Sequence, residues 1–254
     1  MNIAVLNGSP KGEISVTVQY VKFIQKKFPG HTFKFLHVAH DIQKYEKDEK
    51  RFQAIVEEIK QADGVIWAFP LYVFLVASQY KRFIELIMER GAVEAFREKY
   101  AAILSTSVHF FDHTAHNYMR GICDDLGMKC TESYSLDMDD IFTDRQRAVF
   151  LQWAGNFLHA IETGAPTFRT NPPVVTTDFT YQPGRGRAKI SASGLRIRVL
   201  TDMDDPAANV AKMVKRFAGA LKGDVKVYRL ADVDMRGGCL GCVQCAFDNR
   251  CIYK

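Results

Sequence analysis

The sequence predicts a doubly wound α/β sandwich around a five-stranded parallel sheet, and three observations carry that prediction. Strand-like runs and segments of helical spacing alternate five times in roughly 160 residues. The run Gly64-Val65-Ile66-Trp67-Ala68-Phe69 is continuously apolar, as expected of a central parallel strand covered on both faces. Three predicted strands end in loops of small, hydroxylated or aromatic residues, at 7–17, 70–77 and 105–112. In doubly wound sheets ligands sit beyond such carboxyl ends, where the strand order reverses.

The elements follow in order. Ile3–Leu6 is a short apolar strand, and Val18, Val21, Ile24 and Phe28 then mark a helix. Thr32–His37 mixes β-branched and aromatic residues and reads as the second strand. Charged residues from Lys44 to Lys50 lead into a helix with Phe52, Ile55, Val56 and Ile59 on its apolar face. The third strand, Gly64–Phe69, stops at Pro70, and a helix from Ser78 to Arg90 turns Phe83 and Ile87 inward. Tyr100–Leu104 is the fourth strand, leading into Ser105-Thr106-Ser107. A helix over 114–126, a strand over Lys129–Leu136 and a long helix over 144–161 complete the set. Val149, Trp153, Phe157 and Ile161 are the expected buried stripe of that last helix.

Composition narrows the function classes. The 254 residues are 47% hydrophobic and 25% charged, ordinary values for a globular protein. The net charge of +5 is mild and its Lys and Arg are scattered, so no nucleic-acid partner is expected. No apolar run reaches the length of a membrane span, and the reading is a cytoplasmic protein without a membrane partner. Four of the six cysteines fall within the last sixteen residues, which in a reducing compartment suggests metal or redox chemistry.

The loop after the first strand, Asn7-Gly8-Ser9-Pro10-Lys11-Gly12-Glu13-Ile14-Ser15-Val16-Thr17, is a candidate anion cradle. The first N–H groups of a helix lack partners, its dipole favours negative charge, and Lys11 adds a point charge. The spacing fits neither a Walker loop nor a Rossmann fingerprint. The second loop brings Tyr72 and Phe74, and the third brings hydroxyls, His109, Phe110, Phe111 and Asp112. One anion cradle beside aromatic, hydrogen-bonding loops suits a planar phosphorylated cofactor. His109, His113 and His116 lack a supporting metal-ligand spacing, and Cys123 and Cys130 read as free buried thiols.

The run N-G-S-P-K-G-x-x-S-x-T, then Pro70-x-Tyr72, then Ser78-Gln79-x-x-Arg82-Phe83-Ile84-Glu85, resembles the flavodoxin-like NAD(P)H-dependent FMN reductase family. Its multimeric flavodoxin and iron–sulfur flavoprotein branch is the nearest in pattern, and the resemblance covers residues 2 to about 160. It implies that Ser9, Lys11, Ser15 and Thr17 hold the FMN phosphate. Pro70, Leu71, Tyr72, Val73 and Phe74 would border the ribityl chain and ring, and Ser105, Thr106, Ser107 and His109 the third wall. Val16 departs from the polar residue often found there. The resemblance also implies a homodimer.

Residues 164–193 change character: their Pro and Gly break any periodic pattern, and Arg185, Arg187 and Lys189 add charge, so they read as an extended linker. Arg196-Ile197-Arg198-Val199-Leu200-Thr201 then echoes Asn2–Asn7. Asp205 and Pro206 form a helix start, Val210, Val214, Phe217 and Leu221 a buried stripe, and Val225–Leu230 a strand at the offset of Thr32–His37. The expected organisation is therefore a flavodoxin-like domain over 1–163, a linker, and the beginning of a degenerate second flavodoxin-like unit over 194–254. Asp202, Asp204 and Asp205 stand where the first copy has its cradle and would repel a phosphate. Two strands and one helix cannot bury much surface alone, which points to a piece of a longer protein or to packing on another body.

Cys239-x-x-Cys242-x-x-Cys245-x5-Cys251 resembles a four-thiolate ligand set for a four-iron cluster, with zinc, free thiols or disulfides as the other readings. The favoured function is FMN-dependent electron transfer from NAD(P)H to a small molecule or an iron–sulfur acceptor. The alternatives are a flavodoxin-like electron carrier without nicotinamide turnover, and a non-enzymatic, metal-stabilised interaction protein.

Overall fold

A computed structural model of the chain describes every residue except Val174, Thr176, Asp178, Arg185, Arg187 and Lys254. Arg185 and Arg187 of the expected basic linker therefore lie outside the described residues. The chain divides into two compact units, Met1–Pro173 with Gly238–Ile252, and Val174–Gly237 with Tyr253. This division differs from the one expected at 163 and 193: the first 173 residues and the cysteine-rich segment form one unit.

The first unit holds a parallel sheet of β1 (Asn2–Asn7), β2 (Thr32–Leu36), β3 (Gly64–Pro70), β4 (Tyr100–Thr106) and β5 (Lys129–Leu136) in the order β2-β1-β3-β4-β5. Successive side chains of a strand point to opposite faces, and the core divides accordingly. Ala4, Leu6, Val65, Trp67, Phe69, Ala101 and Ile103 meet α3 (Glu49–Lys60), α4 (Ser78–Glu89) and α5 (Asp112–Asp125) on one side. Ile3, Val5, Ile66, Ala68, Ala102 and Leu104 meet α1 (Val16–Lys27) and α6 (Asp144–Thr163) on the other. Residues Gly64–Phe69 of β3 are buried throughout, which is why the sequence reads there as one unbroken apolar run. The doubly wound prediction holds element by element.

Two details differ. The charged lead-in around Lys44 contains a short helix, α2 (Ile42–Lys47), which buries Ile42 and Tyr45. On α6, Val149 is 41% exposed, while Phe150 is buried and stacks on Trp153 with centroids 5.8 Å apart. Trp153, Phe157 and Ile161 keep their expected places against the core, and Phe150 replaces Val149 because it also meets Tyr20, edge to face at 5.6 Å.

In the second unit β6 (Ile190–Thr201) and β7 (Leu221–Arg229) pair in parallel, with α7 (Asn209–Gly219) between them in sequence. The β-α-β order of the first two strands recurs, as the sequence echo predicts. β6 begins inside the expected linker, and α7 starts beyond Asp205-Pro206. Those residues form a turn instead, Ala207 N–H donating to Asp205 Oδ1 at 2.8 Å and Ala208 N–H to the Asp205 carbonyl at 3.1 Å. No α7 residue is buried, and Phe217 of its predicted stripe is 53% exposed.

Candidate active site

The loops after β1, β3 and β4 emerge side by side, because these strands are neighbours in the sheet. The order reverses at β1, with β2 on one side and β3 on the other, so the loop after β1 lies at the topological switch point. Gly8 is required there. The Tyr80 ring lies where a side chain would go, 2.5 Å from an added Cβ, while the Tyr80 hydroxyl donates to the Leu6 carbonyl at 2.8 Å. The loop then closes on itself, Ser9 Oγ accepting the Lys11 N–H at 3.2 Å.

Ser15 is the N-cap of α1, with extended backbone (φ −62°, ψ 137°), yet its side chain makes no capping bond. The first-turn amides of α1 have no carbonyl within the helix to bind, and the free Ser15 hydroxyl stands beside them. An anionic group from outside the chain would complete this cap. Here begins a cleft of about 550 Å³ lined by Ser9, Lys11 and Ser15 at one end. Pro70, Leu71, Tyr72, Val73 and Phe74 line it from the second loop, and Thr106 and Ser107 from the third. A flavin mononucleotide has this form, charged at one end and planar and aromatic along its length, and the residues present fit it.

Three candidates do not line that cleft. Thr17 is fully buried behind it, its hydroxyl 2.7 Å from that of Thr106, which ties α1 to the end of β4. Ser105 Oγ pairs with His116 Nε2 at 2.8 Å and with Ser135 Oγ at 3.1 Å. His109 borders a separate polar cavity of about 440 Å³ with Asp112, His113, His116 and Asp140. Ile14, Val16, Val108, Phe110 and Met138 line the cleft without having been singled out as cofactor contacts. In a sequence they read as ordinary apolar residues. Two carry a signal: Phe110 as one of the aromatic residues of the third loop, and Val16 as an apolar residue inside an otherwise hydroxylated loop.

The second and third loops hold strained backbone. Val73, Phe74, His109 and Phe111 all have left-handed φ, at 41°, 71°, 55° and 58°. This conformation is unfavourable for non-glycine residues, most of all for a β-branched one such as Val73. The Thr114 hydroxyl lies against both the Phe74 and Phe111 carbonyls and spans the two loops. The result is a cluster of half-exposed rings: Phe111 packs edge to face on Phe74 at 4.9 Å and on Phe110 at 4.7 Å.

Electrostatics differ between the two cavities. Burial pushes the Asp112 carboxyl up, but hydrogen bonds from Ser135, Ser107, its own amide and His109 outweigh it and hold the group below the ordinary range. Burial lowers the His116 imidazole, so it is neutral near pH 7. Burial raises the Tyr72 phenol, with Cys239 and Cys242 adding to the effect.

Those cysteines are near because the segment Gly238–Ile252 packs in the first unit. The Tyr72 hydroxyl donates to the Leu240 carbonyl at 3.2 Å. Gly241, at φ +63°, lies so close that an added Cβ would stand 2.5 Å from Tyr72 Oη. Cys239, Cys242, Cys245 and Cys251 are all exposed and free. Among the described residues, no three Cys, His, Asp or Glu side chains converge to hold a metal, so these cysteines do not fit a cluster as arranged. Cys245 opens a helical turn, α8 (Cys245–Asp248), and the Cys239 sulfur accepts the Gly241 N–H at 3.4 Å. Cys123 and Cys130 are buried and free.

The model of the NADPH-dependent FMN reductase family matches residues 1–140, more than half of the chain. The chain belongs to that family. It is an oxidoreductase, with FMN and NAD(P)H as its nucleotides, and a non-enzymatic role is set aside. Two solved structures of similar fold are the apo form of the NADH:FMN oxidoreductase EMOB and FerB, a flavoenzyme NAD(P)H:(acceptor) oxidoreductase from Paracoccus denitrificans. EMOB is 18% identical with a TM-score of 0.54, over 63% of this chain and 89% of its own. FerB is 18% identical with a TM-score of 0.53, over 64% of this chain and 97% of its own. At that identity the likeness shows the fold alone. No curated protein matches the chain. Among the described residues, no helix is long and apolar enough to cross a membrane.

Proposed function

We propose that this FMN reductase family member oxidises NAD(P)H and delivers the electrons to a small planar acceptor at the rim formed by Phe74, Phe110 and Phe111. One observation carries the reading: a single cleft runs from an uncapped helix N-terminus at Ser15 to exposed aromatic rings on strained loops. When bound, FMN supplies a ring system that takes hydride from nicotinamide and releases electrons to an acceptor. Ser9, Lys11, Ser15 and the first-turn amides of α1 bind its phosphate, and Thr17 acts from behind by fixing α1 to Thr106. Pro70, Leu71, Tyr72, Val73 and Phe74 lie along the ribityl chain and ring, and Thr106 and Ser107 border the other side. Ser105 supports the start of the third loop through His116 and Ser135, and His109 supports it from the polar cavity. The rings at the rim favour a flat, apolar acceptor such as a quinone or nitroaromatic through stacking.

The cysteine spacing supports a reading in the multimeric flavodoxin and iron–sulfur flavoprotein branch, and no electron path is assigned to a cluster. Exposed Val73, Val108 and Phe110 beside the cleft support a homodimer in which a neighbour covers the rim. A cytoplasmic setting, where NAD(P)H is abundant, suits the reaction.

The test is steady-state NAD(P)H oxidation by FMN-loaded protein with a quinone or a nitroaromatic. Turnover that falls on Phe74→Ala supports the reading. Tight FMN binding without nicotinamide turnover would move the assignment to an electron carrier.

A further inference from the structure

A line of side chains that the flavin reading leaves unused supports the loop after β1. Asn7, at the end of β1 and fully buried, holds that loop at both ends. Its Oδ1 accepts the Ser9 N–H at 3.1 Å, and its Nδ2 donates to the Gly12 carbonyl at 3.0 Å. A backbone N–H can only donate and a carbonyl can only accept, so these two bonds fix which way the amide points. The second Nδ2 hydrogen then faces His37 Nδ1 at 2.9 Å. His37 Nδ1 must therefore be the acceptor, and its proton must lie on Nε2. Nε2 is 2.9 Å from Glu13 Oε2, a carboxylate that accepts it. Glu13 belongs to the same loop, so the imidazole is held between two parts of the segment it supports.

We propose that His37 is a positioning residue for the phosphate loop, effective only as the neutral Nε2–H imidazole, so that its protonation weakens anion binding at the N-terminus of α1. This rests on the reading of that end of the cleft as the FMN phosphate site. A proton on Nδ1 sets N–H against N–H at Asn7. The amide relieves the conflict only by rotating, and it then loses its bonds to Ser9 and Gly12 together. The groups facing His37 are few. Glu13 is held ionised by Lys22, whose hydrogen bond lowers the carboxyl below its usual range. On the far side the amide of Asp41, itself paired with Lys44, donates to the His37 carbonyl. His40 supports the same loop in the opposite way. Its Nδ1 donates to the Pro10 carbonyl at 2.8 Å, a bond that protonation leaves intact. Of the two histidines, only His37 is required to be neutral.

The experiment is a titration of apoprotein with FMN and with riboflavin, read by flavin fluorescence at pH 7.5 and 5.5, in wild type, His37→Gln and His37→Ala. Gln carries an acceptor and a donor and does not titrate. The FMN Kd of wild type should rise on acidification by about fivefold or more beyond that of His37→Gln, at least the value of one of the two hydrogen bonds lost. His37→Ala should bind FMN weakly at both pH values. Protonation of the FMN phosphate affects all three proteins and cancels in the comparison. Equal pH ratios in wild type and His37→Gln overturn the proposal. Equal affinity for FMN and riboflavin at pH 7.5 overturns the phosphate-site reading on which it rests, a distinguishable failure. Nitrogen NMR of the wild-type apoprotein needs no variant: a His37 resonance of the Nε2–H form supports the assignment, and an Nδ1–H form refutes it.

Discussion

In the first β-α-β segment, β1-α1-β2, the helix buries Thr17, Val18, Tyr20, Val21 and Ile24; in the second, β6-α7-β7, the helix buries nothing. Both pair their strands in parallel. The first leads into its helix through a hydroxylated turn that ends in a free Ser15 side chain. The second leads in through Asp202, Met203, Asp204 and Asp205. A β-α-β unit thus specifies its own pairing, while burial of its helix depends on what surrounds it. The first copy has β3 on the open edge of β1 and α6 against its helix.

The comparison is broken most directly by giving the first loop the charge of the second. Ser9→Asp with Ser15→Asp would place two carboxylates at the proposed phosphate position. At about 4 Å and an effective dielectric near 20, one like-charge pair costs about 4 kcal/mol. FMN affinity should fall by roughly 10³-fold or more, measured by fluorescence titration of the folded variant. A drop below tenfold would mean that no phosphate sits there. The reciprocal change, Asp202, Asp204 and Asp205 to Ser, should create no FMN site, because the second unit lacks the neighbouring loops.

Stability sharpens the same contrast. Phe157 is buried between α6 and the sheet, and Phe157→Ala should cost about 3–5 kcal/mol in denaturant unfolding. Phe217→Ala, on the exposed face of α7, should stay within about 0.5 kcal/mol. A large loss at Phe217 would show that α7 is covered in solution by a body that these contacts do not include.

Most of this architecture was legible in the sequence for a physical reason. A strand buried on both faces, such as Gly64–Phe69, must be apolar throughout, and an amphipathic helix such as α4 must place Phe83 and Ile87 on one side. The Asn7–Thr17 stretch was legible as a strand-to-helix turn because Gly8, Ser9, Pro10 and Gly12 break the apolar pattern between β1 and α1. The rest depended on packing that no local pattern records. Val149 and Phe150 are adjacent apolar residues, and only the aromatic neighbours of Phe150 decide which is buried. Thr17 and Ser105 read as cofactor contacts because a hydroxyl looks alike whether it faces a cleft or another hydroxyl. Four cysteines at cluster-like spacing did not reveal that Cys245 would open a helical turn.

Acid titration gives a smaller effect, confined to the first unit. The folded pKa of His116 is lowered by burial, so the stability tied to its neutral form is complete above the unfolded value, about 6.5. It is lost as pH falls through the lower folded value. Asp112, also lowered, adds a second loss further down, beginning near the ordinary carboxylate value of about 3.9. Thermal midpoints should therefore decline below pH 6.5, and His116→Asn should flatten that decline while leaving the steeper one below pH 4. An unchanged slope in the variant would mean that His116 is not buried in the neutral form.

The smallest effect concerns the segment after the second β-α-β unit, which packs with the first. Tyr72→Phe removes one hydroxyl and its bond to the Leu240 carbonyl while keeping the ring against Gly241. A half-buried neutral hydrogen bond contributes about 1 kcal/mol, a factor of roughly five in the population of the docked segment. Overall stability should barely move, because Gly238–Ile252 lies outside the sheet and its core. Proteolysis between Gly238 and Ile252 should instead accelerate severalfold, whereas FMN affinity should change less than twofold. If cleavage in that segment is as slow as in wild type, the Tyr72 bond does not hold it, and its place in the first unit rests on contacts around Ser78 and Gln79.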